Sequence, residues 1–123
     1  MEKGLSYTSE VTVCTENTAK AVGSGDLEVF ATPALAALME NAAMKTVLGE
    51  LSEGTSTVGA SLNITHTRPS GLGEKIRAIA TLEEIEGRKL VFSVVASDSK
   101  GVIGEGTHVR YIIDVKRFLS KLG

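Results

Sequence analysis

The chain has 123 residues, of which 42% are hydrophobic and 23% charged, which is typical of a globular domain and excludes a disordered or fibrous protein. The net charge of −2 and the scattered basic residues predict no nucleic-acid partner. No apolar stretch reaches the roughly 20 residues that a bilayer requires, and no leader pattern opens the chain. We therefore expect one cytoplasmic domain over residues 1–123, without a membrane partner.

The first half of the chain predicts a strand, a loop and one long helix. Residues 5–13 alternate like a strand, and the stretch 15–25 ends in a glycine-rich segment typical of a loop. The helix is predicted from Pro33 to Leu48, with Thr32 as its N-cap and Gly49 as its stop. Few polar residues interrupt it, so we expect other structure to enclose it. The single cysteine, Cys14, excludes an intrachain disulfide and is expected to be a half-buried strand residue.

The second half predicts four antiparallel strands joined by short turns. In residues 57–66 a period-2 alternation predicts a strand whose apolar face carries Val58, Ala60, Leu62, Ile64 and His66. The same alternation predicts strands over 75–82 and 90–96, joined by a hairpin turn at Glu86-Gly87, and a long last strand over 102–115. Gly104 and Gly106 indicate a bulge or the close approach of a ligand.

This order of elements predicts an α+β fold. A strand, an apolar helix and a four-stranded meander are most simply combined by wrapping a curved antiparallel sheet around the helix. The edges of the long strands at the end of the meander would remain unpaired, which favours a homodimer. A tetramer is the alternative assembly.

Three side chains could carry acyl-transfer chemistry. A carboxylate in an enclosed apolar helix, such as Glu40, is costly unless it is paired, hydrogen-bonded or used. Thr32 lies eight residues earlier, on a neighbouring part of the helix surface. His66 could act as a general base if a carboxylate held its tautomer, while free amides at the helix start could stabilise an oxyanion.

Each of these residues also has a purely structural explanation. Glu40 could emerge at a dimer surface or pair with a lysine, Thr32 could only cap the helix, and His66 could be a hydrogen-bonded core residue. The prediction of a reaction centre therefore depends on the three together. The sequence contains no phosphate-binding glycine loop, no metal-binding histidine motif on a helix and no Gly-x-Ser-x-Gly elbow, so no metal site is expected.

Several basic residues are weaker candidates for binding. His108 and Arg110 share one face of the last predicted strand, where Arg110 could meet a carboxylate or a phosphate. Other cations at strand ends could contact the phosphates of a nucleotide-like carrier or simply be solvated: Arg68, Lys75, Arg77, Arg88 and Lys89.

Five short motifs together resemble the hot-dog-fold acyl-CoA thioesterases related to fluoroacetyl-CoA thioesterase: Phe30-Ala31-Thr32-Pro33, Leu38-Met39-Glu40, Thr65-His66-Thr67, Glu86-Gly87-Arg88 and Gly106-Thr107-His108. The resemblance implies a hot-dog fold with an acyl-CoA site at a dimer interface. It also implies that Thr32, Glu40 and His66 are catalytic and that Gly59 and Arg110 line the substrate site. Coenzyme A would enter as part of the substrate, with no other cofactor.

The chain departs from this family upstream of the helix. Where the fluoroacetyl-specific enzyme has a longer, Phe-containing lid, this chain has only residues 21–26. We therefore expect a more open pocket and hydrolysis of some other short or small acyl-CoA to the free acid and coenzyme A. Two alternatives are a non-catalytic acyl-CoA binding module and a hot-dog hydratase or dehydratase acting on the acyl chain.

Overall fold

The computed structural model describes residues 1–123 and contains five strands and three helices. In chain order these are β1 Ser6–Thr12, α1 Ala19–Val22, α2 Thr32–Leu48, β2 Thr55–His66, β3 Lys75–Glu86, β4 Lys89–Asp98, β5 Gly101–Asp114 and α3 Val115–Ser120. A single 3₁₀ turn, Thr15–Asn17, precedes α1. No helix is both long and apolar enough to cross a bilayer.

The strands form one antiparallel sheet in the order β1-β3-β4-β5-β2. β3, β4 and β5 are the meander that the sequence predicts, but β2 lies at the far edge, paired with β5. The expectation that the last strand exposes an open edge is therefore wrong, because β5 is paired on both sides. The eight residues between β2 and β3 are long enough to cross the intervening strands, since three strand spacings amount to about 14 Å. The free edges are β1 and the longer β2.

Helix α2 packs across the curled sheet and contacts β1 to β4, which confirms the predicted hot-dog architecture. The core lies between them. Ala42 and Ala43 on α2 and Ala78 and Ala80 on β3 belong to this core and are all fully buried, and such small side chains suit a close contact between α2 and β3. Met39 is also fully buried in this core, and its truncation to Ala would cost about 2–5 kcal/mol.

The start of α2 differs from the prediction by one residue. Its N-cap is Ala31, which provides no side-chain hydrogen bond, and Thr32 is the first helical residue. The predicted capping role of Thr32 is therefore wrong. Pro33 still falls in the first turn, where its missing amide hydrogen leaves no helical bond unmade. The Thr32 hydroxyl is consequently free to interact with a residue outside the helix.

The alternation predicted for β2 is interrupted by a bulge between Gly59 and Ser61. Before the bulge Thr57 is buried, whereas Ala60, predicted to point inward, is exposed. An extra residue in a strand reverses which positions face the core. Gly59 and His66 are seven residues apart and would face opposite sides of a regular strand, but the bulge places both on the helix side of the sheet.

Gly104 and Gly106 of β5 allow close approach of the chain itself rather than of a ligand. A Cβ at Gly104 would lie 2.5 Å from the Thr65 carbonyl oxygen and 3.1 Å from Leu35, and one at Gly106 would collide with the backbone of β2. A register shift between β4 and β5 directly beside Gly104 confirms the predicted bulge.

Three local features were not expected from the sequence. Residues 15–25 contain the 3₁₀ turn and α1 rather than only a loop, and Cys14 is exposed and precedes that turn instead of lying half-buried in a strand. The last strand ends at Asp114, whose carboxylate accepts a hydrogen bond from the Arg117 amide and caps helix α3.

Candidate active site

The first group of predicted site residues is a threonine–histidine pair. Thr32 Oγ1 lies 2.8 Å from Nδ1 of His66, which joins the first residue of α2 to the last residue of β2. Phe30 packs edge-on against the imidazole ring, with 6.5 Å between ring centroids. The pair also sits at a helix N-terminus, where the first amides have no acceptor within the helix. A base, a hydroxyl and free hydrogen-bond donors are thus close together.

The surroundings of His66 favour its neutral form. Burial lowers the pKa of His66 below its ordinary value of 6.5, and the backbone of Arg68 opposes part of this shift. The ring atom Nε2 is buried and has no hydrogen-bond partner in good geometry. A neutral imidazole near pH 7 can accept a proton, which is the state that a general base requires.

The second group surrounds Gly59 at the other end of the bulged strand. A Cβ at Gly59 would lie 3.0 Å from Glu40 Oε2, 3.3 Å from His108 Cε1 and 3.4 Å from a terminal nitrogen of Arg110. The absence of a side chain at Gly59 is therefore what allows these three polar groups to converge. We refer to Glu40, Gly59, His108 and Arg110 as the Gly59 cluster.

Arg110 is held almost completely buried within this cluster. Its Nε donates to Thr57 Oγ1 at 2.9 Å, and one terminal nitrogen donates to the Thr57 carbonyl at 3.0 Å. The other terminal nitrogen lies 3.3 Å from His108 Nε2. Burial lowers the pKa of Arg110, while the Glu40 carboxylate opposes the change.

The hydrogen bonds of His108 define its tautomer. His108 Nδ1 lies 2.7 Å from the Ser61 carbonyl oxygen, which can only accept, so Nδ1 carries the proton. Nε2 then has a free lone pair that accepts from Arg110. Sequence reasoning placed His108 and Arg110 on one face but missed Thr57 as the anchor of Arg110, because the bulge changes which β2 residues face inward.

Within one chain these two groups are far apart. Glu40 lies about 12 Å along α2 from Thr32, and Gly59 lies about 23 Å along β2 from His66. Glu40 makes no hydrogen bond or ion pair with His66. The structure therefore brings together Thr32 and His66, and separately Glu40, Gly59 and Arg110, but it does not bring Glu40 to His66 within the chain.

A cavity of about 270 Å³ lies beside the threonine–histidine pair. Its walls come from α1, the segment before α2 and the residues that follow β2: Ala19, Ser24, Val29, Phe30, Thr32, His66, Thr67, Arg68 and Pro69. Thr32 and Ser24 are exposed, so the cavity opens to solvent. No three His, Cys, Asp or Glu side chains are grouped so that they could hold a metal ion.

Comparisons with known proteins identify the family of this chain. Residues 13–116 match the model of the fluoroacetyl-CoA-specific thioesterase family. The fluoroacetyl-CoA thioesterase of Streptantibioticus cattleyicolor is 36% identical over 95 residues, which are 77% of this chain and 68% of that protein.

Solved structures give the same relationship. A crystal structure of a variant of the fluoroacetyl-CoA-specific thioesterase superposes with a TM-score of 0.92 at 30% identity, covering 99% of this chain and 95% of that one. A Thermus thermophilus member of the thioesterase superfamily gives a TM-score of 0.89 at 27% identity, covering 98% and 92%. The chain belongs to the fluoroacetyl-CoA-specific thioesterase family of hot-dog thioester hydrolases, as its sequence motifs predict.

Proposed function

We propose that this protein hydrolyses the thioester bond of a small acyl-CoA, releasing the free acid and coenzyme A. The observation that carries the proposal is the 2.8 Å contact between Thr32 Oγ1 and His66 Nδ1 at the free N-terminus of α2, beside an open cavity. Relatives support the ligand class, since a variant of the fluoroacetyl-CoA-specific thioesterase has been crystallised with fluoroacetate and CoA.

His66 acts as the base in the proposed reaction. With Nδ1 unprotonated, it accepts a proton from Thr32 or from a water in the same place, and the resulting oxygen nucleophile attacks the thioester carbonyl carbon. Amides at the start of α2 stabilise the negative charge on the carbonyl oxygen. The carbon–sulfur bond then breaks, and His66 returns the proton to the departing CoA sulfur. If Thr32 is the nucleophile, water hydrolyses the acyl-threonine in a second, equivalent step.

The Gly59 cluster completes the site in a homodimer. β2 has a free edge of backbone donors and acceptors along its 12 residues, and a second copy can pair with it antiparallel. A two-fold axis at Asn63 would place Gly59 opposite the partner's His66, because Ala60 is bulged out of the ladder and both positions then lie three ladder steps from that axis. The partner's Glu40 would then approach Thr32 and His66, where its charge favours the imidazolium formed during the reaction.

Release of free thiol from a panel of acyl-CoAs tests the proposed activity. The panel contains fluoroacetyl-, acetyl-, butyryl-, branched and aromatic thioesters, and the His66→Ala variant serves as the comparison. Release that is lost in His66→Ala supports the proposal. Binding without release would instead indicate an acyl-CoA binding module, and a changed acyl chain on an intact thioester would indicate a hydratase or dehydratase.

Mixed dimers test the shared site. A hybrid of Thr32→Ala and Glu40→Ala subunits contains one site with wild-type Thr32, His66 and the partner's Glu40, while its second site lacks both Thr32 and Glu40. We expect the hybrid to recover up to half of the wild-type activity, although each parent homodimer is impaired at both of its sites. A hybrid no more active than the parents, or a monomer by light scattering, would contradict the shared site.

A further inference from the structure

Arg68 places a positive charge in the cavity beside Thr32 and His66. It follows His66 by two residues, so their backbones are about 7 Å apart. The side chain of Arg68 is 38% exposed, in contrast to buried Arg110. The proposed hydrolysis does not use this guanidinium.

The buried carboxylate of Asp98 orients Arg68 but leaves the N–H donors of its guanidinium free. The Asp98 side chain is 2% exposed, and its Oδ1 lies 3.7 Å from a terminal nitrogen of Arg68, beyond hydrogen-bond length. Asp98 is already hydrogen-bonded by Ser70 Oγ and the Lys100 amide, both at 2.8 Å. The guanidinium makes no other polar contact within the chain, so its N–H donors remain available to a ligand.

Asp98 remains ionised in this arrangement. Burial raises the pKa of its carboxyl and is the largest single influence on it. Hydrogen bonds from the Lys100 amide, the Ser70 hydroxyl and the Gly101 backbone, together with the charge of Arg68, outweigh burial, so the pKa lies below its ordinary value of 3.8. A permanent negative charge behind Arg68 holds the guanidinium in place.

The rest of the cavity wall contains no acidic side chain. From the free guanidinium donors of Arg68 in this wall we propose that Arg68 binds an anionic group of the substrate, and that the preferred substrates are short acyl-CoAs with a carboxylate on the acyl chain. The inference rests on the proposed function, because it names the substrate class of the same site. A phosphate of the CoA carrier offers the same chemistry to Arg68, and the experiment must separate the two sources.

Binding of non-hydrolysable thioethers tests the inference independently of catalysis. The probes are S-(3-carboxypropyl)-CoA, S-butyl-CoA and S-butyl-pantetheine, which lacks the nucleotide and its phosphates. Calorimetric titration gives Kd for the wild type, Arg68→Gln, Arg68→Lys and the control Arg117→Gln, which removes an equal charge from exposed helix α3. Thermal unfolding of each variant checks that the fold is retained.

We expect Arg68→Gln to weaken binding of the carboxypropyl probe about tenfold, with less than about a threefold effect on the butyl probes, and Arg68→Lys to recover part of the loss. Equal weakening of both CoA probes, but not of the pantetheine probe, would assign Arg68 to a carrier phosphate. Equal effects on all three probes, no effect on any, or no binding to the wild type would overturn the inference. Failure of thiol release with intact selective binding would overturn only the proposed hydrolysis.

Discussion

Thr32 Oγ1 and His66 Nδ1 are 2.8 Å apart although 34 residues separate them in the chain. The contact exists because α2 begins where β2 ends, on the same side of the sheet. Because Ala31 occupies the N-cap position, the Thr32 hydroxyl does not cap the helix and is free to bond to His66.

Removing the Thr32 hydroxyl should impair the reaction without unfolding the protein. Thr32→Val keeps the shape of the side chain but cannot donate to His66, so we expect kcat/KM to fall by about 10²–10⁴-fold. Thr32→Ser should retain most activity. The melting temperature should change little in either variant, because Thr32 is exposed and does not cap α2. An active Thr32→Val enzyme would exclude the hydroxyl from the reaction.

The pH profile should reflect the burial of His66. Only the neutral imidazole accepts a proton, and burial lowers its pKa below 6.5. Burial alone therefore predicts a rate that declines as the pH falls through a midpoint below 6.5, whereas the partner's Glu40 in the proposed dimer would move this midpoint upward. Measurement of kcat/KM between pH 4.5 and 8 in the wild type and in Glu40→Gln checks this, and a midpoint above 6.5 in Glu40→Gln would contradict the described burial of the ring.

A methyl group at Gly59 should disturb function more than stability. Its Cβ would lie 3.0 Å from Glu40 Oε2, so the carboxylate must move away from its present position. The backbone at Gly59 has no positive φ, and alanine is therefore not strained there. We expect Gly59→Ala to reduce kcat/KM at least about tenfold.

Gly49→Ala is the matched control for this change. A Cβ at Gly49 meets no atom within 4 Å, and its φ of −75° suits any residue. Equal loss of activity in both variants would show that the effect does not arise from crowding of Glu40.

His108 should make the folded state sensitive to mild acid. Burial lowers its pKa below 6.5, the hydrogen bond with the Ser61 backbone opposes this, and the net direction remains downward. The unfolded chain therefore takes up the proton first as the pH falls from 6.5 towards the folded pKa, so stability is complete above 6.5 and is lost progressively in that window. Protonation would also replace the acceptor at Nε2 with a donor that faces Arg110.

Urea unfolding of the wild type and His108→Gln at pH 7.5 and 5.5 measures this effect. The variant should be less stable at pH 7.5 but should lose less of its stability on acidification. The charged side chains near this residue are buried Arg110 on the same strand and Glu40 on α2, and Arg110 stays protonated throughout this range. An identical pH dependence in both proteins would rule out His108 as its source.

Patterns that repeat locally were predicted correctly from the sequence. The apolar run from Pro33 to Leu48 forms α2, and the alternation in β3 and β4 places Ala78, Ala80 and Phe92 in the core. These features depend on neighbours in the sequence, which determine helix and strand periodicity.

Features that depend on non-local pairing were not predictable in the same way. The bulge at Gly59 has no signature in the amino-acid composition of β2. Only the pairing register between β2 and β5 reveals the bulge. Whether Glu40 meets His66 depends on where β2 lies in the sheet, and the sequence order alone suggested a position beside β3. The anchoring of Arg110 by Thr57 follows from the same register.

The bulge also determines where the length of β2 can change. Removing Ala60 would leave Gly59 and His66 six residues apart, so both would still face the helix in a regular strand, and the pairs Gly59–Arg110 and Leu62–His108 could remain. An additional residue elsewhere in β2, without a second bulge, would instead turn one end of the strand over and expose either His66 or the anchor of Arg110 to solvent. In relatives of this protein, a gap within β2 should therefore fall at the bulge, and insertions should fall in the loops on either side of the strand.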